Sequence, residues 1–195
     1  MQKIAVLLSG GGTTLDNFHE CIQAGTLNAE IKVVISNVKD VLGLQKAENY
    51  GYPNFHAVGN EATNDILKDF DINLICLAGY LKLYEPPPEL ARSVLNIHPA
   101  LIPAFCGDGF YGMRVHRAVR EKGAMVSGCT VHFANSNYDE GPIVVQKCVP
   151  LEYDDTSEDI RRKVFDMECI AFPEAINLVD EKGIDFFWRR VENVT

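Results

Sequence analysis

The chain has 195 residues, of which 47% are apolar and 23% are charged. This length favours one domain with a sizeable core, and the composition excludes disordered, collagen-like and coiled-coil chains. The formal charge of −9 argues against nucleic acid and anionic membranes as partners, because both require a basic footprint on the protein.

Short apolar runs alternate with helical patterns in the first half of the chain, which predicts a parallel sheet. The predicted strands are Lys3–Leu8, Ile31–Ser36, Asn54–Val58, Ile72–Leu77 and Val94–His98. The predicted helices are Leu15–Ala24 with Thr14 as its N-cap, Leu44–Tyr50, Thr63–Phe70 and a short one from Pro86 to Arg92. Right-handed crossovers then place a functional crevice at the carboxyl ends of the strands.

The pattern changes after His98, where residues 99–112 contain two prolines and three glycines and predict a long loop. A helix at Val115–Lys122, an antiparallel hairpin of Cys129–Ala134 with Ile143–Val149, and a long helix from Thr156 follow. We expect residues 186–188 to close a sheet edge. The predicted fold is therefore α/β and Rossmann-like, with a mostly parallel twisted sheet, helices on both faces and a C-terminal antiparallel hairpin, in one domain over residues 1–195.

No apolar run reaches the ~18 residues of a membrane span, and the first residues lack the features of a signal peptide. We therefore expect no membrane partner and a cytoplasmic location. The nearest two of the six cysteines lie 19 residues apart, which is not a metal-binding spacing. Reduced and mostly buried thiols are expected, with no metal.

The segment Ser9–Thr14 carries three consecutive glycines between the first strand and the first helix. Backbone N–H groups at a helix N-terminus bind anions, and glycine permits close approach of the ligand. A dinucleotide fingerprint fails because Leu15 replaces its third glycine, and a Walker A loop fails because no lysine follows. The segment predicts either a phosphate site for a smaller ligand or a tight turn without a ligand.

A second motif, Asn96-Ile97-His98-Pro99, ends the fifth predicted strand. Alternation along a strand places the amide of Asn96 and the imidazole of His98 on one face, and Pro99 stops the ladder. An amide donates to a developing oxyanion, and an imidazole moves protons near neutral pH. The alternative is a structural histidine at a strand end.

A carboxylate is the expected third member of this group. Asp139 lies in the turn between the hairpin strands, where it would raise the pKa of His98 if the two met. Its alternative role is that of a turn residue before Gly141. His132, on the preceding strand, belongs either to the core or to the site.

These motifs together resemble the formyltransferase family that uses 10-formyltetrahydrofolate, over nearly the whole chain. The resemblance rests on SGGGT at 9–13, LAGY at 77–80, NIHPALIP at 96–103, VHRA at 115–118, GCTVHF at 128–133 and DEGPI at 139–143. The Asn-x-His-Pro block with its later aspartate is specific to this group. The glycine segment is typical of those members that act on a ribonucleotide.

The resemblance implies transfer of a formyl group from the cosubstrate 10-formyltetrahydrofolate to the amine of 5′-phosphoribosylglycinamide, in purine biosynthesis. Asn96 and a protonated His98 would stabilise the tetrahedral intermediate, and Asp139 would assist proton transfer. The resemblance assigns the ribonucleotide to Gly12, Thr13, Thr14 and Glu168, and folate to Leu81, Lys82, Leu83, Tyr84, Asn96, Asn135, Ser136, Asn137, Tyr138 and Asp139. Residues 1–98 would form the phosphate-binding half and 99–195 the folate and catalytic half of a monomer or homodimer with small-molecule partners.

The chain departs from the family pattern at several positions. Thr13-Thr14 replaces the usual Ser-Asn, and the segment at Gly59–Glu61 lacks the usual folate-contacting arginine. Phe165 stands where a polar contact to the ribonucleotide is common. The longer loop at 105–112 is either a mobile flap or a surface decoration, and Arg114 and His116 after it supply positive charge to the site or stay solvated.

Two other functions fit the same motifs. One is related formyl-folate chemistry, either hydrolysis of formyltetrahydrofolate or formylation of an amino-sugar nucleotide, because it would share Asn96, His98 and Asp139. The other is a catalytically silent binder of folate or nucleotide, which only the missing arginine supports.

Overall fold

The fold was analysed in a computed structural model, which describes residues 1–192. Its strands are β1 (Gln2–Leu8), β2 (Ala29–Ser36), β3 (Asn54–His56), β4 (Leu74–Leu77), β5 (Val94–His98), β6 (Val126–Phe133) and β7 (Ile143–Pro150). Its helices are α1 (Thr13–Gln23), α2 (Leu42–Asn49), α3 (Asn60–Leu67), α4 (Met113–Lys122), α5 (Ser157–Lys182) and α6 (Ile184–Glu192), with a 3-10 turn at Pro88–Leu90. The element types predicted up to α5 are confirmed, with ends that shift by at most three residues.

The strands form one sheet in the order β3-β2-β1-β4-β5-β6-β7. The pairs among β1 to β5 are parallel, whereas β6 is antiparallel to both β5 and β7. The predicted mostly parallel sheet with a C-terminal antiparallel hairpin is therefore confirmed. The chain leaves β1 toward β3 and returns to β4 on the other side, so a crevice opens at the carboxyl ends of β1 and β4.

Both faces of the sheet are covered, which explains why its central strands are apolar throughout. Along β1, Ile4 and Val6 face the core beneath α1, α4 and α5, whereas Ala5 and Leu7 face the core beneath α3. The rings of Phe18 on α1 and Phe172 on α5 meet edge to face at 4.9 Å. These two helices therefore lie side by side on one face of the sheet.

The C-terminal helix α6 replaces the sheet edge that residues 186–188 were expected to close, so that prediction is wrong. The apolar residues Ile184, Phe187, Trp188 and Val191 recur at helical spacing, a pattern hidden by the three consecutive aromatic residues. The rings of Phe187 and Trp188 pack against Phe133, at the end of β6, with centroids 5.8 and 5.9 Å away.

Among residues 1–192, no helix is both long and apolar enough to cross a bilayer. In the same range, no group of histidine, cysteine and acidic side chains is arranged to hold a metal ion. The six cysteines are free; two of them, Cys76 and Cys129, are buried, while Cys148 is exposed.

The glycine segment is held by close backbone packing against the start of α2. Gly12, not the predicted Thr14, is the N-cap of α1, with a left-handed φ of 68°. A Cβ on Gly12 would lie only 2.7 Å from the Cα of Gly43. The N–H of Gly43 also donates to the Gly10 carbonyl at 3.1 Å. Glycine at position 12 therefore serves both the turn and the contact.

We expect Gly12→Ala to lower the free energy of unfolding by about 2 kcal/mol, since it adds a left-handed alanine and a contact that real Cβ atoms essentially never make. Urea denaturation measures the change. Gly11→Ala is the matched control, because a Cβ there meets nothing within 4 Å. Equal stability of the two variants would contradict this account of the segment.

Candidate functional site

A cleft of about 480 Å³ opens at the carboxyl ends of β1, β4 and β5. This volume lies in the ~300–1,000 Å³ range of small-molecule sites. The lining comes from the loops after β1 and β4, the end of β5, the loop before α4, the turn after β6 and one face of α5. These are residues 10–14, 78–82, 96–99, 107–113, 116, 138, 139, 161, 164, 165 and 168.

The structure brings Asn96, His98 and Asp139 together in this cleft. The Nδ1 atom of His98 lies 3.5 Å from Asp139 Oδ2, and the Nδ2 atom of Asn96 lies 3.5 Å from Asp139 Oδ1. Strand β5 supplies the first two residues, and the turn between β6 and β7 supplies the third. One small volume thus contains an amide donor, an imidazole and a carboxylate. The first and last of these residues are 43 positions apart in the sequence.

His132 belongs to this group, a role that the sequence left open. It is 1% exposed, and its Nδ1 donates to the Phe133 carbonyl at 2.9 Å. Its Nε2 therefore accepts from the amide Nδ2 of Asn96, at 3.1 Å. The register of β5 on β6 pairs these two residues directly, so the imidazole fixes which way the Asn96 amide points.

The imidazole of His98 is buried, and one of its two ring nitrogens is hydrogen-bonded to the backbone. Its Nε2–H donates to the Phe105 carbonyl at 2.9 Å, so Nδ1 is the nitrogen that faces Asp139. Burial lowers the pKa of His98, and the charge of Asp139 and the Phe105 carbonyl oppose this effect without reversing it. The predicted increase in the His98 pKa is therefore wrong, because desolvation outweighs the attraction of the carboxylate.

Asp139 is held as a carboxylate by donors from several elements. Burial would raise its pKa, but His132, the charge of His98 and the N–H of Gly107 together lower it. The Gly107 N–H donates to Oδ2 at 2.9 Å. Asp139 also has a left-handed φ of 60°, a conformation that aspartate and asparagine tolerate well. Loop and turn therefore hold one anion at a fixed place.

The predicted phosphate-binding residues lie on the opposite wall. Gly12, Thr13 and Thr14 line the cleft at the N-terminus of α1, where unpaired N–H groups favour an anion. Behind this wall, the ammonium group of Lys46 pairs with Asp16 at 2.6 Å. That pair neutralises the acid in the first turn of the helix.

Glu168 on α5 lines the same cleft, as the predicted ribonucleotide site requires. Burial raises the pKa of its carboxyl to about 7, and the charge of Arg161 only partly offsets this effect. Glu168 belongs to the second half of the chain, whereas the glycine segment belongs to the first. The structure thus places residues of the two halves on one cleft.

The predicted folate residues divide into two groups. Leu81, Lys82 and Tyr138 line the cleft, and Leu81 is 60% exposed. Leu83 lies outside the lining. Tyr84 is buried in the core beneath α3, where its hydroxyl donates to Asn64 at 2.6 Å.

The turn that carries Asp139 is ordered by its own side chains. Asn135 accepts the N–H of Asn137 at 2.9 Å, and Asn137 donates to Glu140 at 2.7 Å. Neither residue lines the cleft, nor does Ser136 between them. These residues shape the turn from outside the lining.

The long loop before α4 contributes to the lining from Gly107 to Met113. Arg114 stacks on Tyr111, 4.6 Å from the ring centroid, and lies outside the lining. His116 lines the cleft from α4 and is 3% exposed. Of the two residues expected to supply charge after the loop, His116 alone reaches the cleft.

Comparison with known proteins connects this geometry to one family. Residues 2–176 match the model of the formyl transferase family. The chain is 38% identical to a chloroplastic phosphoribosylglycinamide formyltransferase of Vigna unguiculata, across 97% of this chain and 64% of that protein. It is 36% identical to the phosphoribosylglycinamide formyltransferase of Haemophilus influenzae, across 93% of this chain and 88% of that protein.

A solved structure shows the same likeness. Glycinamide ribonucleotide transformylase 1 from Symbiobacterium toebii superposes with a TM-score of 0.84 at 37% identity, across 93% of this chain and 88% of that one. The sequence resemblance to formyltransferases is therefore confirmed.

The raised pKa of Glu168 predicts a pH-dependent effect of Glu168→Gln on stability. The folded state binds this proton more tightly than the unfolded state, so its contribution is complete below about pH 4.5 and is lost as the pH rises through 7. We expect Glu168→Gln to be more stable than the parent by about 1–3 kcal/mol at pH 8, with a much smaller difference at pH 5.

Urea denaturation at both pH values measures this difference. Asp166→Asn is the control, because it also replaces an acid by its amide on α5 but at an exposed position. A Glu168→Gln effect that is equal at pH 5 and pH 8 would rule out a buried carboxyl that titrates near neutrality.

Proposed function

Because this chain belongs to the formyl transferase family, we propose that it transfers a formyl group from 10-formyltetrahydrofolate to the amine of 5′-phosphoribosylglycinamide, in purine biosynthesis. The observation that carries the proposal is the meeting of Asn96, His98 and Asp139 in a cleft that faces the glycine segment. The names of the relatives support this acceptor.

Asn96 is the proposed donor to the formyl oxygen as charge develops on it. One N–H of its amide is engaged by His132 at 3.1 Å, while the other has only the long 3.5 Å approach to Asp139. The second N–H is therefore available to an oxyanion, and its direction is fixed before the substrate arrives. Fixed donors of this kind cost no reorganisation during the reaction.

His98 is the proposed proton carrier. The lowered pKa makes the resting imidazole neutral, and the Phe105 carbonyl holds the proton on Nε2. The proton that the attacking amine loses reaches the lone pair on Nδ1 by way of the adjacent Asp139 carboxylate, and the same route returns it to the nitrogen that the formyl group leaves. Asp139, 3.5 Å from Nδ1, stabilises the imidazolium in between.

The two substrates are proposed to approach from different walls. Gly12, Thr13 and Thr14 bind the ribonucleotide phosphate, and Glu168 contacts the ribonucleotide from α5. The wall from Ala78 to Lys82 has an exposed leucine beside a lysine, a pair that suits a ligand with a flat ring and an anionic tail. Formyl-folate is such a ligand, and when bound it supplies the formyl group.

The remaining assignments stay predictions. One is the division of a single domain into a phosphate-binding half, residues 1–98, and a folate and catalytic half, residues 99–195, although Asn96 and His98 belong to the first half. A cytoplasmic location, a monomer or homodimer, and folate contacts from Leu83, Tyr84 and residues 135–137 belong to the same group.

Asp139→Asn should lower kcat by about 10²–10⁴-fold, because the imidazolium of His98 loses its counter-charge. The backbone accommodates asparagine at a φ of 60°, so the melting temperature should change little. Release of deformylated folate, monitored with a panel of amine acceptors, measures turnover and identifies the acceptor together.

Asp108→Asn is the matched control, since this acid also lines the cleft but lies outside the group around His98. It should retain activity within about 3-fold of the parent. Near-normal turnover of Asp139→Asn would remove that carboxylate from the mechanism. Formylation of an amino-sugar nucleotide, or release without any acceptor, would replace the proposed reaction.

The proposed chemistry uses an amide, an imidazole and a carboxylate and assigns no step to a metal. Treatment with EDTA, followed by the same assay, should therefore leave the rate unchanged. Loss of activity that Zn²⁺ or Mg²⁺ restores would show that a metal takes part.

A further inference from the structure

We propose that the guanidinium of Arg161 on α5 binds the phosphate of the acceptor ribonucleotide, together with the glycine segment. This inference rests on the proposed function and adds to the phosphate site a residue that the sequence did not single out.

The cleft has an unfavourable charge balance for a phosphate dianion. Among residues 1–192, its lining contains three carboxyl side chains, Asp108, Asp139 and Glu168, and two cationic side chains, Lys82 and Arg161. Backbone N–H groups at a helix N-terminus contribute only about half an elementary charge. A phosphate placed there would gain further stabilisation from a cationic side chain within a few ångströms.

Other basic groups near the glycine segment do not supply that charge. The chain of Lys46 runs close to Gly12, but Lys46 lies outside the cleft lining. His116 does line the cleft. Its pKa is held at about 4, by burial and then by the charge of Arg161, so it is neutral near pH 7.

Arg161 lies on the wall that is next to the glycine segment. Because β6 and β7 reverse direction in turn, β7 ends at the same end of the sheet as β5, and α5 begins there. Helices α1 and α5 therefore run in the same direction and touch at Phe18 and Phe172, and α5 lines the cleft from Arg161 to Glu168. Lys82 follows β4, on the wall proposed for folate.

Residues 161, 165 and 168 share one face of α5, since they are spaced by four and three positions. All three line the cleft. The middle one, Phe165, offers no donor, and Glu168 is an acid. Arg161 is thus the residue of this face that is able to bind an anion.

The guanidinium is also oriented in advance. Its Nε and Nη2 atoms contact Glu158 Oε1 at 2.8 and 2.6 Å. This side-on contact leaves the N–H groups of Nη1 available to a second anion. A planar guanidinium is able to donate to two phosphate oxygens at once. Glu158 is therefore a positioning residue for Arg161.

The adjacent Arg162 provides a matched control. Like Arg161, it pairs with an acid three residues earlier, Asp159, at 3.0 Å. Its side chain is 69% exposed and it lies outside the cleft lining. Replacing either arginine by glutamine therefore removes the same charge and the same type of ion pair, but only Arg161→Gln changes the cleft.

The direct test is a titration with ribose 5-phosphate, monitored by calorimetry or NMR, on the parent, Arg161→Gln and Arg162→Gln. Arg161→Gln should weaken binding by about 10–100-fold, the range for a charge-assisted hydrogen-bonded pair, while Arg162→Gln stays within about 2-fold. Arg161→Lys should recover part of the loss. Equal binding by the two glutamine variants would overturn the proposal.

Steady-state kinetics then identifies which substrate meets Arg161. The acceptor KM should rise in Arg161→Gln, while the formyl-folate KM stays unchanged. A rise confined to the formyl-folate KM would overturn the proposal, because it would assign Arg161 to the folate glutamate. The titration does not depend on turnover. If ribose 5-phosphate binding requires Arg161 but phosphoribosylglycinamide is not formylated, the phosphate site stands and the proposed acceptor fails.

Discussion

The buried carboxylate of Asp139 is the anion around which the site is arranged. Four groups from three parts of the chain surround it: the amide of Asn96, the imidazoles of His98 and His132, and the N–H of Gly107. A buried charge is costly unless such partners are present. Its direct donors are the N–H of Gly107 and the amide of Asn96, so this one charge links the long loop before α4 to the end of β5.

The rest of the site follows from the order of the strands. The order of the strands changes direction at β1, because the chain passes from β1 outward to β3 and then returns to β4 on the other side of β1. The glycine segment, the wall after β4 and the end of β5 therefore open onto one crevice. Helix α5, which follows the edge strand β7, adds Arg161 and Glu168. The cleft thus brings the glycine segment together with Asn96, His98 and Asp139, and residues from both halves of the chain line it.

Much of this arrangement was predictable from the sequence, because local patterns determine it. The bounds of β5 follow from its apolar run and Pro99, and the turn into α1 follows from consecutive glycines before a helix. Three features depended on tertiary structure instead. The N-cap at Gly12 depends on its contact with Gly43, the lowered pKa of His98 on burial, and the buried position of Tyr84 on packing beneath α3.

The aromatic contact at the end of β6 gives the protein an intrinsic optical probe. Trp188 is the single tryptophan of the sequence, and it lies between the ring of Phe133 and the guanidinium of Arg92. Phe133 follows His132 directly, and its carbonyl accepts the imidazole N–H. Indole fluorescence therefore reports on the strand end that orients the Asn96 amide, without any attached dye.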